Sequence, residues 1–208
     1  MNLPNGMKSW GPLLLIRLVL AEVDSVGLET METFTEPKQF VNNPGFREQR
    51  QESLGKLDIN SIDEPIIDIV ENFAKLNYCF TLQSCFGHFL HNSQKDPQST
   101  EPLPQSDRIR RVEYRIAYIA LCIDNNEHGI ALFKDLKKIP SIGTEYVQFG
   151  SAEWFWKRQV NSYALQVEPK IYMTKDKISV DYKEALQLQE TRNRFFVELR
   201  HLLRKRIY

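Results

Sequence analysis

Three cysteines in 208 residues are too few, and odd in number, for a disulfide framework. This excludes a small secreted scaffold and fits a reducing, cytoplasmic setting. No run reaches the roughly 18 apolar residues of a membrane helix. The nearest, Pro12 to Ala21, mimics the apolar part of a signal peptide behind Lys8, but Arg17 sits in its centre. Overall charge is also missing, since 27 Lys and Arg balance 27 Asp and Glu. The chain has no GxGxxG, P-loop, GxSxG or HExxH motif and no internal repeat, which takes support from the common nucleotide-fold, hydrolase and zinc-protease readings.

What is present suits a globular protein. Hydrophobic residues make up 42% of the chain, with 12 Phe and 8 Tyr, enough for a sizeable core. The charge is unevenly placed. The first hundred residues carry 8 basic against 13 acidic side chains, and the remainder 19 against 14. The basic second half can face phosphate, or it can be the solvated face of charged helices. Met31 opens the better-patterned sequence, so residues 1–30 read as a start-site extension. Residues 1–56 read as an N-terminal extension and arm, with 31–56 an arm or short helix, and residues 57–208 as one domain.

Within that domain, Ser61-Ile-Asp-Glu64 is a capping-box pattern, with Asp63 and Pro65 as an alternative helix start. Ile62, Ile66, Ile69, Val70 and Phe73 then mark one helical face. Tyr78 to Gln83 reads as a strand. Residues 92–107 form a long loop rich in breakers, and such loops are functional or disordered. Val112 to Ile123 reads as one continuous strand. Asp124 to Gly129 is a turn before a helix over Ile130 to Ile139, with Leu132, Phe133 and Leu136 inward. Tyr146 to Phe149 suits a strand, and Ala152 to Gln159 either a helix or a strand. Tyr163 to Glu168 and Ile171 to Met173 read as strands, and Asp181 to Arg206 as a long helix with Leu188, Phe195, Leu199 and Leu202 on one stripe. Together these predict an α+β fold, a mixed or antiparallel sheet with helices packed on it.

The chemistry concentrates in Cys79-Phe-Thr-Leu-Gln-Ser-Cys-Phe-Gly-His88. Two of the three cysteines and two of the four histidines lie between positions 79 and 91. Thr81 and Ser84 offer hydroxyls, and backbone N–H groups around Gly87 can form an anion nest. Cys85 can be a nucleophile if His88 lowers its pKa. Cys85, His88 and His91 have ligand-like spacing, but a further ligand pair is missing, so no metal is expected. The plainer alternative is a buried strand end with a structural cysteine. The run Trp154-Phe155-Trp156-Lys157-Arg158 can stack a base, or can be ordinary packing. His128 reads as a solvent-facing turn residue.

Leu57-Asp58, then Ser61-Ile62-Asp63-Glu64, an apolar helix and Phe80-Thr81-Leu-Gln-Ser84-Cys85-Phe-Gly87-His88 resemble the tRNA wybutosine-synthesizing protein 3 family. Its signature is near T-T-S-S-C-S-G-R at a strand end. Thr81, Ser84, Cys85 and Gly87 match. Leu82 stands for a Thr, Gln83 and Phe86 for Ser, and His88 for Arg; Asn60 and Ser61 stand where the family has Lys-Gly. The order of later elements also fits, including the Val-Glu-Pro-bearing strand. The resemblance implies a tRNA-modifying methyltransferase using S-adenosylmethionine, with Thr81, Ser84, Cys85, Gly87 and His88 lining the site. Gly87 would then let ligand approach the backbone, and His88 would be a cation switching near its ordinary value of about 6.5. Arg108, Arg110 and Arg111 would meet tRNA phosphate. Two alternatives stand beside it: a non-catalytic nucleotide- or RNA-binding protein that kept the fold, and a metal-dependent protein using Cys85, His88 and His91.

Overall fold

The computed structural model describes residues 34–170 and 176–207. Strand β1 (Phe34–Thr35) precedes helix α1 (Phe46–Gly55). Two short 3-10 turns, Ile59–Ser61 and Glu64–Ile66, lead into α2 (Ile67–Lys75). Strands β2 (Cys79–Cys85), β3 (His88–Leu90), β4 (Arg111–Arg115) and β5 (Ala117–Ile123) follow. Then come α3 (Glu127–Leu136), β6 (Val147–Ala152), α4 (Glu153–Arg158), β7 (Ser162–Val167), β8 (Lys177–Asp181) and α5 (Tyr182–Ile207). The strands form a five-stranded sheet in the order β1-β6-β7-β5-β2 and a three-stranded sheet in the order β3-β4-β8. Every strand pairing among the described residues is antiparallel. This is the α+β fold that the sequence predicts.

The continuous strand expected over 112–123 is instead divided at Ile116 between the two sheets. The chain divides at Phe86–Gly87 in the same way, between β2 and β3. The two breaks lie against each other. Gly87 has φ +91°, and a Cβ on it would stand 2.8 Å from the Cβ of Ala117. Only glycine takes that backbone at little cost and leaves that room. On the other side of the break, the Tyr114 hydroxyl accepts the Ala117 N–H and donates to the Val167 carbonyl, each at 3.0 Å. The Ile116 N–H turns to the Asp176 carbonyl. The sequence shows uninterrupted apolar character through Ile116 because the residue stays buried while the strand changes sheet.

Helix α2 buries Ile69, Val70 and Phe73 as its periodicity predicts. The capping box does not form. Ser61 donates its hydroxyl to the Asp58 carbonyl, Asp58 caps the first 3-10 turn, and the Asp63 carboxylate is drawn away to residue 86. Helix α3 begins at Glu127, earlier than expected, because the Asn126 side chain accepts the Gly129 N–H at 2.9 Å. Residues 153–158 are helix rather than strand. Residues 92–107 contain no strand or helix. Helix α5 runs 26 residues and buries Leu188, Arg192, Phe195, Leu199 and Leu203, with Leu202 only half-buried. Arg200 ties it to α2, reaching Asp68 at 2.7 Å and the Pro65 carbonyl. The expected strand at Ile171 to Met173 and the start-site reading of residues 1–30 lie outside the described residues.

Candidate functional site

The strand break at Phe86–Gly87 gathers charged and ligating side chains from three parts of the chain. Asp63 arrives on the turn before α2, with Oδ2 accepting the Phe86 N–H at 2.7 Å and lying 3.2 Å from His88 Nε2. The other imidazole nitrogen, Nδ1, is 3.0 Å from the Ser99 carbonyl, so it carries a proton and donates. Asp63, Cys85 and His88 each place a donor atom within 4.8 Å of the others. From α5, Arg192 donates Nη1 to the Gly87 carbonyl at 2.8 Å. Its guanidinium lies 4.0 Å from the centre of the Phe86 ring and 5.0 Å from that of Phe89. His88 is 1% exposed and Arg192 2%, so both cations are dry and need these partners.

Burial works against a charged imidazole at position 88, but hydrogen bonds to Asp63 and Cys85 outweigh it and raise the pKa to about 10. Burial likewise opposes the Asp63 carboxylate, and contacts with His88 and the Phe86 N–H prevail, holding its pKa below the usual value. Burial lowers Arg192 to about 10, still charged at neutral pH, with Tyr114, Cys85 and Asp63 acting in the opposite sense. The expected histidine switch near 6.5 is therefore absent from this arrangement.

The five residues singled out from sequence divide into two groups. Cys85, Gly87 and His88 are buried in the break. Thr81 and Ser84 are half-buried on β2. Thr81 Oγ1 is buried, and neither it nor the Ser84 hydroxyl has a hydrogen-bond partner among the described residues. Gly87 leaves room for Ala117 rather than for a ligand. Both ring nitrogens of His88 are engaged and the Cys85 thiol is buried, so this is not the geometry of an activated cysteine nucleophile. His91 stands apart from the cluster, accepting the Ser93 N–H at Nδ1. The other two thiols, Cys79 and Cys122, are buried and pushed up to about 12, chiefly by that burial.

Arg108 and Arg110 are exposed and have no side-chain hydrogen bond to protein among the described residues, whereas Arg111 is pinned to Ser179 on β8. Trp154 is already stacked by Arg158 at 3.8 Å, and Trp156 packs toward Tyr163. His128 is exposed, as expected, and stacks on Tyr78. A separate cleft of about 350 Å³, bordered by Arg47, Asn77 and His128 among others, contains none of the five predicted site residues. Asp63, Arg192 and Tyr114 were not among the predicted site residues. Arg192 did leave a signal: it falls between Leu188 and Phe195 on the apolar stripe of α5, where an unpaired charge has no place.

No protein-family model matches the chain, and no curated protein does. Two solved structures of the PH1069 protein, from Pyrococcus horikoshii and from Pyrococcus horikoshii OT3, are similar to it in part. The first is 14% identical, with a TM-score of 0.47, over 77% of this chain and 95% of that one. The second is 15% identical, with the same TM-score, over 78% and 94%.

Proposed function

We propose that the protein is a tRNA-modifying methyltransferase-like protein that binds S-adenosylmethionine beside the β2–β3 break. The reading comes from the resemblance to the tRNA wybutosine-synthesizing protein 3 family. One observation supports carrying it to this site: the two segments that bear the resemblance, 57–64 and 80–88, meet in space through the Asp63 carboxylate and the Phe86 N–H. Thr81 and Ser84 are the members of the signature with hydroxyls; Thr81 Oγ1 is buried and unpartnered, and Ser84 is half-buried on the same strand. Cys85, Gly87 and His88 hold the break in shape. Methyl transfer depends on alignment of donor and acceptor more than on acid–base groups, so the lack of a carboxylate pair does not count against it. Arg108 and Arg110 supply exposed cations for tRNA phosphate.

The second reading, a binding protein without catalysis, is favoured by the depth of Cys85 and His88, which keeps them from touching a substrate directly. Calorimetric titration of S-adenosylmethionine into wild type, Thr81→Val and Ser84→Ala tests the first reading. Loss of one ligand hydrogen bond costs about 1 kcal/mol, or roughly fivefold in affinity. The expected result is saturable binding to wild type, weakened by that amount in each variant with unchanged melting. Absence of heat with wild type, or equal affinity in all three, would remove the reading.

A further inference from the structure

We propose that Asp63, Cys85 and His88 form a zinc site at the break between the two sheets. The inference stands apart from the methyl-transfer reading and does not depend on it. Cys85 at a strand end and His88 at the next strand start are close in sequence, but the third donor, Asp63, arrives from a separate turn that sequence spacing does not announce. A carboxylate, a thiolate and an imidazole are all zinc ligands, and three protein ligands leave a fourth position for water. Two such ligands at about 2.0 Å from the ion and at a tetrahedral angle stand about 3.3 Å apart. Asp63 Oδ2 and His88 Nε2 are 3.2 Å apart. All three donors lie within 4.8 Å of one another, so closing the shell asks for little more than about an ångström of movement by the thiol.

The surroundings have the features of a supported metal shell. His88 Nδ1 donates to the Ser99 carbonyl, which orients Nε2 toward the cluster and fixes the tautomer, as partners of metal-bound histidines do. The Phe86 N–H holds Asp63 Oδ2 in place. Charge also balances. Zn²⁺ with a thiolate, a carboxylate and a neutral imidazole sums to zero, so the occupied site places no net charge beside the buried Arg192 guanidinium.

His91, the histidine that sequence spacing paired with Cys85 and His88, is the control, because it lies outside the cluster. The full chain is loaded with zinc, dialysed and analysed for metal, alongside Cys85→Ser, Asp63→Asn and His91→Ala. Wild type and His91→Ala should each retain about one equivalent, and the other two should retain under a tenth of that. Cobalt added to metal-free wild type should give a thiolate-to-metal charge-transfer band that Cys85→Ser lacks. Circular dichroism checks that each variant is folded, and the cobalt band in wild type needs no variant at all. A wild type that retains no zinc and shows no thiolate band overturns the site. So does zinc retained equally by Cys85→Ser, or lost from His91→Ala. S-adenosylmethionine titrated into zinc-loaded and zinc-free protein keeps the two proposals separable.

Discussion

At the scale of the residue, Gly87 and Arg192 carry most of the structural argument. Gly87 is buried, left-handed and in contact with Ala117, so Gly87→Ala adds backbone strain and a Cβ where a neighbouring Cβ already stands. We expect it to lower stability by on the order of 2–3 kcal/mol in denaturant unfolding; a loss below about 0.5 kcal/mol would show that the break can relax. Arg192 combines a buried charge with two ring contacts, a hydrogen bond to the Gly87 carbonyl and two to the Asn193 side-chain oxygen. Arg192→Ala should cost about 3 kcal/mol, and Arg192→Met, which keeps the apolar packing on Phe86, distinctly less. Equal losses would mean that the charge and its hydrogen bonds, rather than packing, dominate. His88 is held by hydrogen bonds to Asp63 and Cys85, which raise its pKa to about 10 against the opposing effect of burial.

At the scale of the element, α2 and α5 form a helix pair locked by Asp68 and Arg200. The Arg200 hydrogen bond leads the effects that hold the Asp68 carboxylate below its usual value, against a smaller opposing effect of burial. Asp68 is about half exposed, so the pair is screened and worth under about 1 kcal/mol. A depressed carboxylate contributes stability above its unfolded value of about 3.9 and loses it as pH falls through the lower folded value. Asp68→Asn should therefore cost a few tenths of a kcal/mol at pH 7 and flatten the fall in stability below pH 4 by the same amount, measured by urea unfolding across pH. A variant with an unchanged acid limb would show the pair to be idle.

Elements were also what the sequence displayed best. The α5 stripe, the β7 run and the buried face of α2 follow from periodicity, because each repeats one local rule over many residues. The breaks at Gly87 and Ile116 do not repeat anything. Ile116 is apolar and buried on either side of the change of sheet, so the pattern passes through it unmarked. Ser61 and Glu64 offered a capping box, but a contact with Phe86 and His88 claimed Asp63 and the helix began later. The chemistry-rich stretch 79–88 was visible from its side chains, whereas its partner Asp63 could be placed there only once the chain had folded back over 23 residues.

At the scale of the whole molecule, the described residues 34–170 and 176–207 belong to one compact unit. A chain beginning at Met31 should melt within a few degrees of the full chain, in a scanning calorimeter. A drop of more than about 10 °C, a loss of a kcal/mol or more, would show that the earlier residues support the fold. In the basic second half, Arg108 and Arg110 are exposed just before β4. If Arg108 and Arg110 meet tRNA backbone, replacing both with alanine should weaken binding to any tRNA alike and lower the salt-dependence slope by about 2. An unchanged slope would place RNA elsewhere.

The central claim, a ligand site beside the β2–β3 break, is most directly tested by amide chemical shifts of nitrogen-labelled protein during addition of S-adenosylmethionine. The account predicts saturable shifts concentrated at Thr81 to Phe86 and at their β5 partners Tyr118 to Leu121. Shifts confined to the cleft bordered by Arg47, Asn77 and His128, or no shifts at all, would contradict it.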